Sequence, residues 1–540
     1  MPNQHTPVLI AGAGLAGLTA ALLLGWYGIP CLLTERRSTP SRHPRARGIN
    51  LRSMELLRGI PGLEDQLRNA GRAGFSDFKI VIAESVTGRE IRTLLAPGSM
   101  DTTPLSPAPF CGAGQDRIEP ILLRQARALG AEIRLGTELV AFTPSDTAIR
   151  ATLRDVTTKE QTQIDADYLI GADGHRSSIR RALGIGMQGR GTLSHNMSIL
   201  FRADLAATLQ TRSFVLYYLQ NPGFTGVFVS TDDPDVGQVS VEYDPSRETP
   251  ADYDEARCVR MVRAAMGMPE MDMRILDTMP WEMSSLLAER MAEGRVFLAG
   301  DAAHTMPPTG GLGGQTAIQD AGDLAWKLAL VLKGKAGAAL LDTYDAERRP
   351  VAALTVARQT ENYVERMRPD RTDLSDPAME SDYLTVAMGH RYRSDAILSD
   401  TPDDGAPGDD PLHPTGRPGT RLAHVPLLRD SRTISTLDLI GRDFALLTAS
   451  DGSGWLQPAR AAAERFDIPL TICQIGTDVL DRDGLFLSRT GMGPAGALLI
   501  RPDGFIAWRS RNAAGDPRSV IEQTFARVLC RKMRQQEKPA

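Results

Sequence analysis

Apolar runs and turn residues divide the first 35 residues into a strand, a helix and a second strand. Residues 7–11 form a short apolar run that predicts a strand, and a glycine-rich turn follows it. Residues 18–28 are apolar nearly all round, which is typical of a helix packed on a sheet, and Gly28 is placed to end it. Residues 29–35 predict the next strand, which ends at Glu35. The pattern therefore predicts a βαβ unit that begins at residue 7.

The pattern changes between residues 186 and 281, where alternating runs predict an antiparallel sheet. The clearest of these runs are residues 214–220, 226–232 and 237–244. A strand typical of a parallel sheet returns at residues 295–300. Apolar residues then recur at helical spacing from Thr316 to Leu332, and Gly334 ends this predicted helix.

Residues 399–419 are rich in Pro, Gly and Asp, which predicts a boundary between domains. Residues 420–530 then predict a strand, a helix, a strand and a hairpin. The hairpin turn is Pro502-Asp503-Gly504, because Pro presets φ and Gly accepts a positive φ. We therefore expect a separate C-terminal unit with its own sheet.

The amino-acid composition is that of a globular protein and points to no additional functional site. The chain is 42% hydrophobic and 24% charged, and its net charge of −5 favours no nucleic-acid partner. The five cysteines form no CxxC motif and lie near no histidine cluster, so we expect reduced thiols, no metal site and a cytoplasmic protein. We also expect no membrane association, because the sequence shows neither a signal peptide nor a stretch long enough to span a bilayer.

The first motif that carries chemistry is the glycine turn Gly12-x-Gly14-x-x-Gly17. The first glycine permits the turn, the second lets a pyrophosphate approach the backbone, and the third lets helix and strand pack closely. Glu35 lies at the end of the next strand, where a carboxylate can hold the ribose hydroxyls of an adenosine. A similar glycine pattern begins at Gly491, but a strand rather than a helix follows it, so we predict a single dinucleotide-binding unit.

Two further motifs follow predicted strands. Asp173 lies in the sequence GADGHRS, and Asp301 lies in GDAAH, where its carboxylate can accept a hydrogen bond from a ribityl hydroxyl. The glycine-rich run at residues 310–314 precedes the predicted long helix, whose free N–H groups can face an isoalloxazine or a pyrophosphate.

These three motifs, in this order, resemble those of the FAD-dependent aromatic hydroxylases, or class A flavoprotein monooxygenases, over about residues 7–360. The remainder, including GHRYRSDAIL at residues 389–398 and the C-terminal region, is similar to the subgroup that acts on aromatic polyketides, such as the anthracycline and angucycline hydroxylases. The resemblance implies an α/β fold: an FAD-binding, Rossmann-like parallel sheet, an inserted antiparallel-sheet substrate domain and a C-terminal thioredoxin-like domain. The predicted FAD domain comprises residues 1–185 and 286–400, the substrate domain 186–285, a linker 401–419 and the thioredoxin-like domain 420–540.

The resemblance also implies positions around the cofactor. Arg45 matches an arginine near the flavin, Gln115 a residue near the ribityl chain, and Pro308 a proline close to the reactive edge of the flavin. Gln315 is longer than the asparagine found in many members, so only backbone contacts are expected there. The predicted FAD-binding residues are Gly12, Gly14, Leu15, Ala16, Gly17, Glu35, Arg36, Arg45, Gln115, Asp173, Gly300, Asp301, Pro308, Gly311, Gly313 and Gly314.

The resemblance implies a reaction in which NADPH or NADH reduces FAD and O2 then forms a C4a-hydroperoxyflavin, which hydroxylates a polycyclic, polyketide-type phenol. The candidates for assisting phenol deprotonation are Tyr217, Tyr218, Arg391 and Arg393, since a nearby cation favours the phenolate. Two alternatives stay open: a non-hydroxylating flavoprotein oxidase or reductase on the same fold, and a scaffold protein with vestigial FAD. We expect a monomer or homodimer whose partners are a small aromatic substrate and O2.

Overall fold

The computed structural model describes residues 4–39, 47–71, 78–99, 101–209, 214–221, 224–376 and 379–532. The elements up to residue 171 are β1 (Gln4–Ala11), α1 (Leu15–Trp26), β2 (Cys31–Glu35), β3 (Arg47–Ile49), α2 (Leu51–Arg58), α3 (Leu63–Ala70), β4 (Phe78–Ala83), β5 (Glu90–Leu95), β6 (Cys111–Gly114), α4 (Gln115–Ala128), β7 (Glu132–Leu135), β8 (Thr137–Pro144), β9 (Ile149–Asp155) and β10 (Gln161–Gly171).

The middle of the chain supplies the long strands and the two longest helices. Its elements are α5 (Ser178–Ala182), β11 (Met187–Arg202), α6 (Ala206–Leu209), β12 (Phe214–Asn221), β13 (Phe224–Ser230), β14 (Val236–Tyr243), α7 (Glu255–Met266), β15 (Arg274–Ala288), β16 (Ala292–Glu293), β17 (Val296–Leu298), β18 (His304–Thr305), α8 (Gly313–Leu332) and α9 (Thr343–Arg366). The C-terminal elements are β19 (Pro426–Arg429), β20 (Arg432–Ser435), β21 (Phe444–Thr448), α10 (Leu456–Phe466), β22 (Leu470–Gln474), α11 (Leu485–Thr490), β23 (Ala497–Ile500), β24 (Ile506–Ser510) and α12 (Pro517–Val528).

The first sheet has the strand order β16-β17-β10-β1-β2-β7. Strand β9 also pairs with β10, and β8 pairs with β9. Its central pairs, β17 with β10, β10 with β1, β1 with β2 and β2 with β7, are parallel. Helices α1 and α8 pack against these strands in one apolar core. The predicted βαβ unit is therefore present, and the loops after β1, β2, β10 and β17 meet at one edge of the sheet.

The second sheet has the order β18-β15-β11-β14-β13-β12-β4-β5. Its pairs are antiparallel except that β12 pairs with β4 in parallel. Strands β4 and β5 come from residues 78–95, which the sequence-based division placed in the FAD domain. Local sequence patterns carry no information about this pairing, since each residue of β4 pairs with a residue of β12 that lies 136 positions later in the chain.

One face of the second sheet is closed by helix α7. Cys258, Val262 and Met266 of α7 pack there against Val239, Phe228 and their neighbours in a buried apolar core. The opposite face packs against α9, where Tyr218 of β12 lies in a cluster with Tyr363. Because side chains alternate between the two faces of a strand, consecutive residues of this sheet point alternately toward α7 and toward α9.

The C-terminal unit has a four-stranded sheet of order β22-β21-β23-β24. Strands β21 and β22 are parallel and flank α10, whereas β23 and β24 form the predicted antiparallel hairpin. This arrangement agrees with the thioredoxin-like expectation. Cys473, the cysteine of β22, is buried and unpaired.

Residues 399–419 contain no helix or strand, but ion pairs connect them to one another and to the C-terminal unit. Arg417 pairs with Asp404 and Asp409, and Arg509 of β24 pairs with Asp400 at 2.8 Å. This segment therefore packs as part of the molecule. No helix in the described part of the chain has the length and apolar character needed to cross a membrane.

Candidate functional site

The glycine turn after β1 forms a cradle of the kind that the sequence predicts. Gly12 has a φ of +108°, and a Cβ at Gly17 would lie 1.9 Å from the carbonyl oxygen of Gly12. These two glycines are required by the protein backbone itself. A Cβ at Gly14, in contrast, would meet no described atom within 4 Å. The turn is therefore tight on the protein side and open on the side where a phosphate would approach.

The first turn of α1 offers its backbone N–H groups at this open side. Its N-cap is Gly14, which has no side chain to cap the helix, and Leu15 and Ala16 begin the buried first turn. Free N–H groups and the positive end of the helix dipole bind an anion at such a position.

Glu35 lies at the end of β2, beside the turn. One carboxylate oxygen accepts a hydrogen bond from Ala13 N at 3.0 Å, and the other accepts one from Arg37 N at 2.8 Å. Each oxygen keeps a second lone pair, so the carboxylate can still accept from two ribose hydroxyls. The neighbouring predicted residue, Arg36, is exposed.

The loop after β17 brings Asp301 to the same edge of the sheet. Gly300 has a φ of +60°, and a Cβ there would lie 3.1 Å from the Cβ atoms of both Ala16 and Ala317. The loop therefore passes between the first turns of α1 and α8. Asp301 follows at once, and its side chain is exposed at this junction.

Asp320 of α8 anchors that loop, and the sequence analysis did not single it out. Its carboxylate accepts from Gly300 N at 3.0 Å and from Arg348 Nε at 2.9 Å, and it lies 2.8 Å from His304 Nε2. Burial opposes its ionisation, but His304 and Arg348 outweigh burial and hold the pKa of Asp320 below its usual range. The sequence could have indicated this ion pair, because Asp320 interrupts a predicted apolar helix face and Arg348 follows in the next helix.

The glycine-rich loop leads directly into α8. Pro308 is exposed, Gly311 has a φ of +69°, and α8 begins at Gly313 with no side-chain cap. The first N–H groups of α8, which include that of Gly314, are therefore free to face a ligand.

The side chain of Gln315 has a role that the sequence did not predict. Its Nε2 donates to Gly48 O at 2.8 Å, and its Oε1 accepts from Asn50 N at 3.0 Å. Gln315 thus fastens β3 to α8, whereas the sequence led us to expect backbone contacts alone. Arg45, which precedes β3, lies outside the described residues.

Asp173 and Gln115 border the site, and protein atoms already contact both side chains. Asp173 Oδ2 accepts from Ser178 N at 2.8 Å and so caps α5, while its Oδ1 is buried without a hydrogen-bond partner in the described residues. Gln115 is the first residue of α4 and donates to Glu119 at 2.6 Å. A cofactor role for either residue stays a prediction.

Tyr217 and Tyr218 are adjacent on β12, so they point to opposite faces of the second sheet. Tyr217 is buried in the core beneath α7, with its ring 6.3 Å from that of Phe228. Tyr218 lies on the other face, in the cluster that includes Tyr363 and Met367 at the C-terminal end of α9. Of the two predicted tyrosines, therefore, Tyr218 alone faces α9.

Arg366, which the sequence analysis did not propose, connects Tyr218 to the loop that contains Pro308. Its Nη1 lies 2.5 Å from Thr309 O and 3.5 Å from the Tyr218 hydroxyl, and its guanidinium carbon is 5.9 Å from the Tyr218 ring centre. A half-buried cation thus lies between the second sheet and the glycine-rich loop. No local pattern marks Arg366, since it is one of several arginines near the end of a helix.

Arg391 and Arg393 lie elsewhere and have other partners. Arg391 pairs with Asp403 and Asp404 at 3.3 and 3.2 Å, and Arg393 pairs with Asp403 at 2.7 Å. Both guanidinium groups thus pair with acidic residues of the predicted linker and hold that segment in place, and a catalytic role for Arg391 or Arg393 stays a prediction. A catalytic role would need a cation free to face a phenol.

The residues at this edge of the sheet have the chemistry needed to hold FAD. The open backbone at Gly14 and the free first turn of α1 suit the pyrophosphate, Glu35 suits the adenosine ribose, and Asp301 suits the ribityl chain. The uncapped start of α8 suits the isoalloxazine.

Comparison with known proteins agrees with this fit. Residues 5–359 match a family described as an FAD binding domain, and residues 415–531 match one described as the C-terminal part of aromatic-ring hydroxylases. An aklavinone 12-hydroxylase of Streptomyces purpurascens is 43% identical over 98% of this chain and 100% of its own length. A 4-methyl-5-nitrocatechol 5-monooxygenase of Burkholderia sp. is 39% identical over 98% of each chain.

A solved structure is also similar along the whole length of the chain. The crystal structure of a ternary complex of aklavinone-11 hydroxylase with FAD and aklavinone matches with a TM-score of 0.94 and 42% identity, covering 98% of this chain and 100% of that one. The family resemblance stated from the motifs is thereby confirmed. The chain belongs to the FAD-dependent aromatic hydroxylases and is a monooxygenase that uses FAD and NAD(P)H.

Proposed function

We propose that this enzyme hydroxylates a fused-ring phenol of the polyketide type, and that the phenolic oxygen lies between Tyr218 and Arg366. The observation that carries the proposal is the position of Arg366, which contacts both Tyr218 on the second sheet and Thr309 on the loop beside Pro308. This is the place where the substrate sheet and the flavin-side loop meet.

In this proposal Arg366 holds the phenol as phenolate. A cation at hydrogen-bond distance favours the charged form of the oxygen, which makes the ring a better nucleophile. Tyr218 donates its hydroxyl hydrogen to the same oxygen and fixes the orientation of the ring. Bound FAD, after reduction by NAD(P)H, supplies the oxygen atom taken from O2.

Contacts to FAD are proposed for the residues that converge at the edge of the first sheet. The N–H groups of Gly14, Leu15 and Ala16 hold the pyrophosphate, Glu35 holds the ribose and Asp301 the ribityl chain. Arg36 is exposed beside Glu35 and remains a candidate for the adenosine end.

The face of the second sheet around Tyr218 supplies an apolar wall. Ile80, Leu216, Val227 and Trp281 are half-buried there and pack against Tyr218 and its neighbours. Such a wall excludes water from the reacting atoms and accepts a flat aromatic molecule.

Substrate size is the part of the proposal that rests on the relatives. Two of them are named for aklavinone, whereas the Burkholderia relative is named for a nitrocatechol. We favour a fused-ring substrate because the half-buried wall extends over several strands. We also propose that the enzyme works in the cytoplasm, which agrees with its five unpaired cysteines. We further propose that it is a monomer or homodimer.

One incubation tests the function. FAD-loaded enzyme, NADPH and O2 are combined with a panel of fused-ring and single-ring phenols, and products are analysed by mass. A gain of one oxygen on fused-ring phenols, in proportion to NADPH consumed, is expected. NADPH consumption with no oxygen in any product would contradict the proposal and favour an oxidase.

A further inference from the structure

A group of polar side chains lies on the same face of the second sheet as Tyr218. We call Ser198, Gln238, Ser240 and Trp281 the serine cluster. Trp281 Nε1 lies 3.1 Å from Ser198 Oγ and 3.2 Å from Ser240 Oγ, Gln238 Nε2 donates to Ser198 Oγ at 3.1 Å, and the two hydroxyls are 3.2 Å apart. Ser198 is buried, whereas Gln238, Ser240 and Trp281 are partly exposed.

Two arrangements of the hydrogens satisfy these contacts, because Trp281 has one N–H and either serine hydroxyl can donate to the other. In the first arrangement Ser198 Oγ accepts from Trp281 and from Gln238, and its own hydrogen goes to Ser240 Oγ. In the second, Trp281 donates to Ser240 Oγ and Ser240 donates to Ser198 Oγ. In the first arrangement the hydrogen of Ser240, which is partly exposed, is available to an oxygen of a ligand.

Ser240 stands at a defined distance from Tyr218. Tyr218 of β12 is the direct partner of Val227 of β13, Val227 is the partner of Ser240 of β14, and Ser240 is the partner of Ser198 of β11. The four residues thus form one row across four strands. Because neighbouring strands are about 4.8 Å apart, the backbone positions of Tyr218 and Ser240 are separated by about 10 Å.

The row looks into the space beside α9 and away from α7. Tyr217 and Phe228, which are next to Tyr218 and Val227 in sequence, point into the core under α7. Val227 and Trp281 instead pack against the cluster that contains Tyr218 and Tyr363. The Ser240 hydroxyl and the contact between Tyr218 and Arg366 therefore lie on the same face of the second sheet.

We propose that Ser240 is a specificity-determining residue, which donates a hydrogen bond to an oxygen on the far ring of a fused-ring substrate whose reacting phenol lies at Tyr218 and Arg366. The inference rests on the proposed function and adds a second point of recognition to it. Val227, between the two points, supports the flat face of the rings. A single ring cannot span the distance between them, so Ser240 distinguishes fused-ring phenols from monocyclic ones.

The test measures binding to the full-length, FAD-loaded enzyme without NAD(P)H. The probes are a dihydroxyanthraquinone with one hydroxyl on each outer ring, the monohydroxyanthraquinone that lacks the distal hydroxyl, and phenol. The variants are Ser240→Ala, Ser240→Thr, which keeps the hydroxyl, and Ser246→Ala in the exposed turn after β14 as the matched control. Dissociation constants are obtained by titration, and thermal melting verifies that each variant is folded.

We expect Ser240→Ala to raise the dissociation constant of the dihydroxy probe about five- to tenfold, because one hydrogen bond is lost. The monohydroxy probe and phenol should bind as before, Ser240→Thr should restore the preference, and Ser246→Ala should change nothing. Equal effects of Ser240→Ala on both anthraquinones, or no effect on either, would overturn the inference. Since binding is measured without turnover, failure of the hydroxylation assay would count against the proposed function alone.

Discussion

At the scale of single residues, the glycines of the first turn allow protein and cofactor requirements to be separated. Gly14→Ala introduces a methyl group that meets no described atom within 4 Å, at a φ of −82° that alanine adopts readily. We therefore expect the melting temperature of the apoprotein to stay unchanged while the dissociation constant for FAD rises about tenfold or more, because the methyl group obstructs the pyrophosphate.

Gly17→Ala is the matched variant for this prediction. Its methyl group would lie 1.9 Å from Gly12 O, so it should destabilise the apoprotein by about 1–3 kcal/mol. Thermal melting of the apoproteins and titration with FAD provide both readings. A Gly14→Ala variant that binds FAD as tightly as the wild type would show that the pyrophosphate lies elsewhere.

A second prediction at this scale concerns Arg366. Replacement by Met keeps much of the side-chain volume but removes the charge, so we expect kcat/KM for a fused-ring phenol to fall about 10- to 100-fold with FAD still bound. Arg391→Met, which removes an arginine that the structure places among Asp403 and Asp404, is the control and should leave kcat/KM near the wild-type value. An equal loss of kcat/KM in the two variants would contradict the proposed contact between Arg366 and the phenol.

The sequence could predict the position of residues that depend on their immediate neighbours. Glu35 follows from a strand end beside a glycine turn, and Asp301 from its place after another strand. Arg366 and Asp320 could not be predicted in this way, because their partners are distant in sequence: Tyr218 is 148 residues away from Arg366, and Arg348 is 28 residues away from Asp320. For the same reason the sequence did not predict the ion pairs of Arg391 and Arg393, since their acidic partners lie in a segment interpreted as a linker.

At the scale of elements, periodicity located the strands and helices that the sequence analysis named, but it did not predict the pairing of β4 with β12. Helix α8 was predicted from Thr316 to Leu332 and observed from Gly313 to Leu332. Its buried face nevertheless carries Asp320, Asp323 and Lys327, which an apolar stripe does not predict. These charges are tolerated in the interior because each one has an oppositely charged partner.

The short hairpin of β19 and β20 gives a prediction about acid stability. His424, just before β19, is 2.8 Å from Ser435 Oγ at the end of β20. Burial and the nearby Arg421 lower the pKa of His424 to about 4, from an unfolded value near 6.5, although Glu55 acts in the opposite direction. Between these two pH values the unfolded state binds more protons, so the stability that His424 contributes is complete above pH 6.5 and is lost as the pH falls toward 4.

We therefore expect His424→Gln, which can still bond Ser435, to lose less stability than the wild type on acidification. The measurement is the melting temperature at about pH 7 and about pH 5, where the decrease should be smaller for the variant. His413→Gln, at a histidine whose side chain is 83% exposed, is the control and should behave as the wild type. An identical pH dependence in His424→Gln would contradict the assignment.

At the scale of the whole molecule, buried ion pairs join the C-terminal unit to the FAD domain. Arg501, at the end of β23, is fully buried and bonds Glu347 of α9 at 2.6 Å, and it also bonds Asp323 of α8 and Asp503 of its own hairpin. Lys327 completes this group with contacts to Asp323 and Glu347. The three carboxylates lie within 4.8 Å of one another, a spacing that would suit a metal ion, but Arg501 and Lys327 already pair with them. Burial and the neighbouring carboxylates outweigh these cations at Asp323 and raise its pKa well above the usual value.

The same group connects to the flavin side of the molecule. Burial disfavours charge on Arg501, but Asp503 and Glu347 outweigh burial and raise its pKa well above the usual value. Glu347 is followed directly in α9 by Arg348, which pairs with Asp320 and through it supports the backbone of Gly300. The C-terminal unit therefore supports the position of α8 and α9, and the loop that carries Asp301 depends on both helices.

Removal of Arg501 should for this reason destabilise the whole chain. In Arg501→Met the carboxylates of Glu347 and Asp503 lose their main partner while they stay buried, which costs about 3–5 kcal/mol. We expect a single, lower melting transition with FAD release at the same temperature, since both domains share the broken contacts. Arg511→Met, whose side chain is 55% exposed beside Asp400, should cost at most about 0.5 kcal/mol.

A second substitution distinguishes a lost ion pair from a simple packing defect. Adding Glu347→Gln to Arg501→Met removes one uncompensated charge, so the double variant should be more stable than Arg501→Met alone. A packing defect would give additive losses instead. Separate melting of the C-terminal unit, with FAD retained by the remainder, would show that the domains are energetically independent and that Arg501 acts within its own domain alone.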